Sequence, residues 1–130
     1  MNKYVDCSKV YVDFIEDKGY SVFAKQNIKR DEIVEIGLAR IVETDGNNNP
    51  YLFTWSHDKT KWAYASGCAT FYNTSLNPNC CMNRDFKNNK YTIVALQDIQ
   101  KGDELTHLYK SLQWRACFKK LNENLQNHQN

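Results

Sequence analysis

The sequence lacks any long apolar run. A membrane-spanning helix needs about 18 consecutive apolar residues, and no stretch of the 130 residues approaches that length. The N-terminal sequence MNKYVDCSKV also lacks the apolar core of a secretory signal peptide. We therefore expect an intracellular protein without a membrane partner.

An excess of charge of one sign is missing as well. The 17 Lys and Arg residues nearly balance the 15 Asp and Glu residues, which leaves a net charge of +2. Because nucleic-acid-binding domains usually carry a strongly basic surface, we expect no direct contact with nucleic acid. With 42% hydrophobic and 25% charged residues, the composition is typical of one globular domain with a modest core.

The cysteines do not form a metal-binding pattern. Five of them, at positions 7, 68, 80, 81 and 117, are irregularly spaced and contain no Cys-x-x-Cys pair. An odd number at irregular spacing is typical of free thiols in a reducing compartment. We therefore expect free thiols, no metal site and no effect of chelators.

Short alternating stretches predict a mainly β fold. Strands are predicted at 10–15, 20–25, 33–43, 81–86, 91–97 and 104–109, with polar turns between them. The alternation in the third strand is imperfect around Gly37, which predicts a bulge or bend. The aromatic stretch 51–55 is compact, and the periodicity of 62–72 does not decide between strand and helix.

The C-terminal part has helical spacing. Trp114, Phe118, Leu121 and Leu125 recur at intervals of four, three and four, which is one face of an amphipathic helix. From about position 122 the sequence is polar, and we expect it to fray. The predicted organisation is an N-terminal extension (1–9), one domain (10–115), and a C-terminal helix with a polar tail (116–130).

The segment TFYNTSLNPNC, residues 70–80, stands out for its three asparagines. Asn-Pro and Pro-Asn are common turn dipeptides, so an ordinary turn is one interpretation. Asn73 also begins an N-glycosylation acceptor pattern, which an intracellular location disfavours. The segment alone leaves its role open.

Four segments, taken in order, resemble motifs of the SET domain family of protein lysine methyltransferases. Residues 18–24, KGYSVFA, are similar to an early G-x-G-V-F-A turn, and YLF at 51–53 is similar to an aromatic Y-L/V-F motif. Residues 67–79, GCATFYNTSLNPN, are close to G-x-x-x-x-x-N-H-S-x-x-P-N, and 102–109, GDELTHLY, to G-E-E-L-T-x-x-Y. ALQDI at 95–99 also fits the family. Since Cys117 stands alone where a triple-cysteine cluster would lie, the chain looks like the minimal, stand-alone viral and bacterial form.

The resemblance implies a fold and a reaction. The implied fold consists of small twisted sheets with a pseudoknot and a short C-terminal helix. The implied methyl donor is S-adenosyl-L-methionine, and the acceptor is a lysine ε-amine of a protein or peptide, with a histone tail as the commonest target. The expected location is nuclear or cytoplasmic, in a host cell if the protein is viral, and a homodimer stays open.

The resemblance also assigns roles to individual residues. Tyr109 is implied as the catalytic residue, whose hydroxyl orients the amine. The implied cofactor-binding residues are Lys18, Gly19, Tyr20, Asn73, Thr74 and Trp114, and the implied channel walls are Tyr51, Phe71 and Tyr72. Methyl transfer needs a neutral amine, although a free lysine has a pKa of about 10.4. A narrow apolar channel and a nearby sulfonium would both lower that pKa.

Two departures from the family pattern leave alternatives open. Thr74 replaces the usual His, and Ser21 replaces the second Gly of the early turn, where a positive φ would be strained. The chain is therefore expected to be either an active lysine methyltransferase or a degenerate SET fold that binds a lysine-bearing tail or a partner without catalysis. A third interpretation is an unrelated β-barrel that binds single-stranded nucleic acid through its aromatic residues, which the near-neutral charge disfavours.

Overall fold

The described part of the chain contains nine strands and one helix, which confirms the mainly β prediction. The structure, a computed structural model, describes residues 4–128. The strands are β1 (Val10–Ile15), β2 (Gly19–Ala24), β3 (Ile33–Val42), β4 (Phe53–Thr54), β5 (Trp62–Ala65), β6 (Asn73–Thr74), β7 (Cys80–Asp85), β8 (Lys90–Ala95) and β9 (Glu104–His107). Two 3-10 turns, Ala69–Phe71 and Ala116–Phe118, and helix α1 (Lys119–His128) complete the fold. Within the described residues, no helix is both long and apolar enough to cross a membrane.

The smaller sheet has the strand order β1-β2-β9-β6. The predicted hairpin of β1 and β2 forms, with Val10 opposite Ala24 and Ile15 opposite Gly19. Strand β9 then lies between β2, to which it is antiparallel, and β6, to which it is parallel. Two motifs far apart in the sequence are therefore hydrogen-bonded neighbours.

The larger sheet has the order β4-β5-β3-β8-β7. The predicted hairpin between β7 and β8 turns at Asn89, whose φ of 53° uses the tolerance of Asn for the left-handed region. The bulge expected at Gly37 is instead an irregularity between Ile33 and Glu35, and Gly37 pairs regularly with Tyr91. A Cβ at position 37 would lie 2.3 Å from the Tyr91 ring. Glycine therefore leaves the space in which this ring lies across β3.

One asparagine links the loop after β6 to β9. The side chain of Asn79 donates to the carbonyl of Glu104 at 2.8 Å and accepts from the N–H of Thr106 at 2.9 Å. Asn79 thereby substitutes for a neighbouring strand along β9. This contact holds the loop after β6 against the last strand, in the region where the family resemblance implies a pseudoknot.

The core lies between the two sheets. Its most deeply buried large side chains include Ile28, Leu52, Trp55, Tyr72, Tyr91, Ile93 and Leu105. Burying one such aliphatic side chain contributes about 1.5–3 kcal/mol to folding. The five cysteines are free, as predicted, although only Cys80 is buried.

The C-terminal helix begins later than predicted and extends further. Arg115 has extended backbone angles, φ −79° and ψ 135°, which interrupt the helical spacing that includes Trp114. Trp114 therefore precedes the helix, and Phe118 ends the short 3-10 turn before it. The helix also runs to His128 rather than fraying from about position 122.

Candidate functional site

Tyr109 lies just beyond β9, with its ring packed between two other rings. The ring centroids of His107 and Phe118 each lie 5.1 Å from that of Tyr109. The Tyr109 hydroxyl donates a hydrogen bond to the backbone carbonyl of Tyr72 at 2.6 Å. Burial, together with the negative charge of Glu104, raises the pKa of Tyr109 to about 12. The phenol is therefore protonated at neutral pH.

Thr74 positions Tyr109 through its side chain. The Thr74 hydroxyl accepts a hydrogen bond from the backbone N–H of Tyr109 at 3.0 Å. This contact continues the parallel pairing of β6 with β9, in which Thr74 lies opposite His107. Replacement of the family's His by Thr thus supplies a different polar contact at this position.

Four polar side chains from three of the motifs form one network beside strands β6 and β9. The amide of Asn73 donates to the Ser21 hydroxyl and to Glu104, each at 2.8 Å. Glu104 also forms an ion pair with Lys18 at 2.6 Å. Two of the predicted cofactor-binding residues, Lys18 and Asn73, are therefore joined through Glu104. Ser21 is buried and is absent from the described non-glycine residues with positive φ, so its replacement of Gly creates no backbone strain.

The turn beside this network presents exposed aromatic rings. Gly19 has a φ of 83° with open space where a Cβ would stand, which suits close approach of a ligand to the backbone. The adjacent Tyr20 is 61% exposed. Its ring meets the Phe71 ring edge-on at 5.9 Å and the Phe14 ring at 5.5 Å. Tyr20 and Phe71 are thus brought together at the surface.

A small cavity of about 30 Å³ opens beside the Tyr109 ring. Its apolar walls come from Leu52, Phe53, Met82 and Phe118, among others. A volume of this size holds roughly two water molecules, so it suits the end of a side chain rather than a nucleoside. The charged residues that line it are all cationic: Arg84, Lys110 and Arg115.

His107 is an unusual member of the cavity wall. It is buried, and neither ring nitrogen has a hydrogen-bond partner. Burial lowers the pKa of His107 to about 4, so the imidazole is neutral at physiological pH.

The remaining predicted residues are placed differently. The Tyr72 hydroxyl points into the core, where it donates to Glu35 at 2.8 Å, and only its carbonyl faces Tyr109. Tyr51 is 63% exposed. Trp114 packs against Trp62, with ring centroids 6.2 Å apart, and under the ammonium of Lys59. The rings recorded in contact with the Tyr109 ring are those of His107 and Phe118, and not those of Tyr51, Tyr72 or Trp114.

Two comparisons place this architecture among known proteins. In this small β domain, strand β9 lies between the β1–β2 hairpin and strand β6. The model of the SET domain family matches residues 19–110, and the chain belongs to that family. Membership removes the alternative of an unrelated β-barrel.

A solved structure is also similar. It is the crystal structure of a Plasmodium falciparum protein described as a candidate histone methyltransferase, with 28% sequence identity and a TM-score of 0.66. The match covers 82% of this chain and 96% of that one. No curated protein matches this chain.

Proposed function

We propose that the protein is an S-adenosyl-L-methionine-dependent protein lysine N-methyltransferase with Tyr109 as its catalytic residue. The observation that carries the proposal is the pair of oxygens formed by the Tyr109 hydroxyl and the Tyr72 carbonyl, 2.6 Å apart. An amine that reaches this pair meets two acceptors that fix the direction of its lone pair. Such positioning is what an in-line displacement requires.

The residues beside β6 and β9 fit the proposed methyl donor. Its amino-acid end carries one ammonium and one carboxylate, and the exposed ion pair of Lys18 and Glu104 offers a partner for each. Asn73 and the open backbone at Gly19 lie beside that pair. When bound, this cofactor supplies an electrophilic methyl group on a sulfonium.

The cavity favours the neutral form of the substrate amine. Arg84, Lys110 and Arg115 are its charged lining residues, and none of the lining residues is acidic. Like charges and desolvation both lower the pKa of an entering lysine ammonium. A lowering from about 10.4 toward 8 corresponds to roughly 3 kcal/mol, so burial and three nearby cations act in the direction that the reaction needs.

Tyr109 acts as a neutral dipole in this proposal. With its pKa raised to about 12, the phenol does not serve as the base that removes the ammonium proton. Its oxygen accepts from the amine, while its hydrogen stays on the Tyr72 carbonyl. The proton of the ammonium is therefore lost to solvent before the lysine is fully buried.

A lysine-bearing protein or peptide is the proposed substrate, and a histone tail is the first to test. The experiment is mass spectrometry of a peptide array that includes histone tails, incubated with the protein and isotopically labelled cofactor. Labelled methyl on lysine is the expected result. Absence of cofactor binding by calorimetry would remove the proposal.

A non-catalytic binding module is the second candidate. The observation that favours it is Thr74, which replaces the family's His and bonds the backbone of Tyr109 instead. A module of this kind binds peptide or cofactor without transferring the label, so the same array distinguishes the two.

A further inference from the structure

Three side chains with metal-binding atoms meet away from the proposed methyl-transfer site. The sulfurs of Cys7 and Cys68 and a carboxylate oxygen of Glu35 all lie within 4.8 Å of one another. They come from the N-terminal extension, from β3 and from the residue before the first 3-10 turn. Tetrahedral zinc has ligand bonds of about 2.0–2.3 Å, which separates ligand atoms by roughly 3.5 Å. Only small side-chain movements would therefore close the three around one ion.

Gly67 keeps the space between these atoms open. Its φ is 68°, and a Cβ built there would lie 2.5 Å from Glu35, 2.8 Å from the Tyr91 hydroxyl and 2.9 Å from the Cys7 sulfur. The atoms of the cluster therefore surround the place where any other residue at position 67 would put its Cβ. This geometry is independent of the spacing of the ligand atoms themselves.

Glu35 is a buried carboxylate without a cationic side chain beside it. The salt bridges among residues 4–128 join Lys9 to Glu32 and Lys18 to Glu104. Glu35 instead accepts hydrogen bonds from the Tyr72 and Tyr91 hydroxyls and from the Cys68 N–H. Oε1 accepts from Tyr72 and Oε2 from the Cys68 N–H, whereas the single hydrogen of the Tyr91 hydroxyl lies within reach of both Oε2 and the Ser66 carbonyl. With that hydrogen on Ser66, one of the two lone-pair positions of Oε2 is open to a metal. The other two donors orient the carboxylate as outer partners of a metal ligand usually do.

We propose that Cys7, Cys68 and Glu35 bind a zinc ion, with water in the fourth position. Two thiolates favour zinc over magnesium or calcium, which prefer all-oxygen ligand sets. The ion would tie the N-terminal extension to β3 and to the turn that leads into Tyr72 and Asn73. The site revises the expectation of no metal, which rested on the missing Cys-x-x-Cys pair.

Cobalt provides the test, because tetrahedral Co²⁺ absorbs in the visible and its thiolate bonds absorb in the near ultraviolet. The reduced full-length protein is titrated with Co²⁺ under anaerobic conditions. Both sets of bands are expected to saturate at one ion per chain and to disappear when Zn²⁺ is added. Cys7→Ser and Cys68→Ser are expected to lose the thiolate bands, whereas Cys81→Ser and Cys117→Ser, at half-buried thiols outside the cluster, retain them.

A measurement on the unaltered protein keeps the test valid if a serine variant fails to fold. Zinc-edge X-ray absorption of the zinc-loaded chain is expected to show two sulfur ligands at about 2.3 Å with oxygen at about 2.0–2.2 Å. The proposal is overturned if the folded, reduced protein gives no thiolate band or an all-oxygen zinc environment. It is also overturned if the Cys7→Ser/Cys68→Ser double variant binds Co²⁺ with unchanged bands.

Discussion

The side chain of Thr74 holds the backbone of Tyr109, with 3.0 Å between the threonine hydroxyl oxygen and the tyrosine N–H nitrogen. This hydrogen bond connects the motif that contains Asn73 and Thr74 to Tyr109, the proposed catalytic residue. A family-typical imidazole is therefore not needed to link the two motifs. The same relationship makes residue 74 a positioning residue whose effect is measurable.

Thr74→Val should weaken both stability and turnover. Valine keeps the shape but removes the acceptor, so the Tyr109 N–H loses its partner at a cost of about 1–2 kcal/mol. Urea unfolding measures this loss, and amide hydrogen exchange at Tyr109 is expected to speed up. Thr74→Ser retains the hydroxyl and is the matched control. Equal behaviour of the valine and serine variants would show that the hydrogen bond has no role.

Tyr109→Phe should abolish most activity while leaving the fold intact. Loss of one preorganised hydrogen-bonding group at a reaction centre typically costs about 100-fold or more in turnover. The missing bond to the Tyr72 carbonyl should lower the free energy of unfolding by only about 1 kcal/mol. Calorimetry is expected to give nearly unchanged cofactor affinity. Tyr64→Phe, at an exposed tyrosine on β5, controls for the loss of a phenol elsewhere.

Protonation of His107 should lower the free energy of unfolding in mild acid. Its pKa is lowered from 6.5 to about 4 by burial, and the positive charges of Arg84 and Lys110 act in the same direction. Between these two pH values the unfolded chain binds the proton more readily than the folded one. The contribution is complete above pH 6.5 and is lost as the pH falls toward 4, up to roughly 3 kcal/mol.

The measurement is urea unfolding at several pH values for the wild type and for His107→Phe. Phenylalanine preserves an aromatic ring between Tyr72 and Tyr109, the two rings that pack on His107. The variant should lose less stability between pH 6.5 and 4 than the wild type. His57→Asn, at an exposed histidine, should follow the wild type. Parallel curves for wild type and His107→Phe would exclude His107 as the titrating group.

The fold was largely predictable because its determinants are local. Alternating side chains and turn residues located the hairpins of β1–β2 and β7–β8. The errors occurred where a tertiary contact decides the local conformation. The sequence pattern predicted a bulge at Gly37, but glycine is needed there because a Cβ would overlap the Tyr91 ring. Trp114 fits a helical spacing, but the extended backbone of Arg115 separates it from the helix.

The sequence identified the motifs of the site but not the hydrogen bonds and ion pairs that join them. Sequence similarity singled out Asn73 and Tyr109, yet gave no role to Glu104, which joins Lys18 to Asn73. It also left His107 unassigned, since burial of an imidazole without partners follows from the packing of several elements. A charged residue within a matched motif was the signal that could have identified Glu104.

Arg115→Lys should loosen the C-terminal wall of the cavity. The guanidinium donates to the carbonyls of Leu52 at 2.9 Å and Gly46 at 2.7 Å and lies 4.8 Å from the ring centroid of Phe118. Lysine keeps the charge but cannot donate from a planar fork to several carbonyls at once, so buried acceptors lose partners at a cost of about 2–4 kcal/mol. Because Phe118 packs on Tyr109, Arg115→Lys should also raise the KM for peptide. Arg40→Lys, at an exposed arginine, is the control and should raise it less. Thermal unfolding and steady-state kinetics measure the two effects, and identical results for both variants would show that the guanidinium fork does not position this wall.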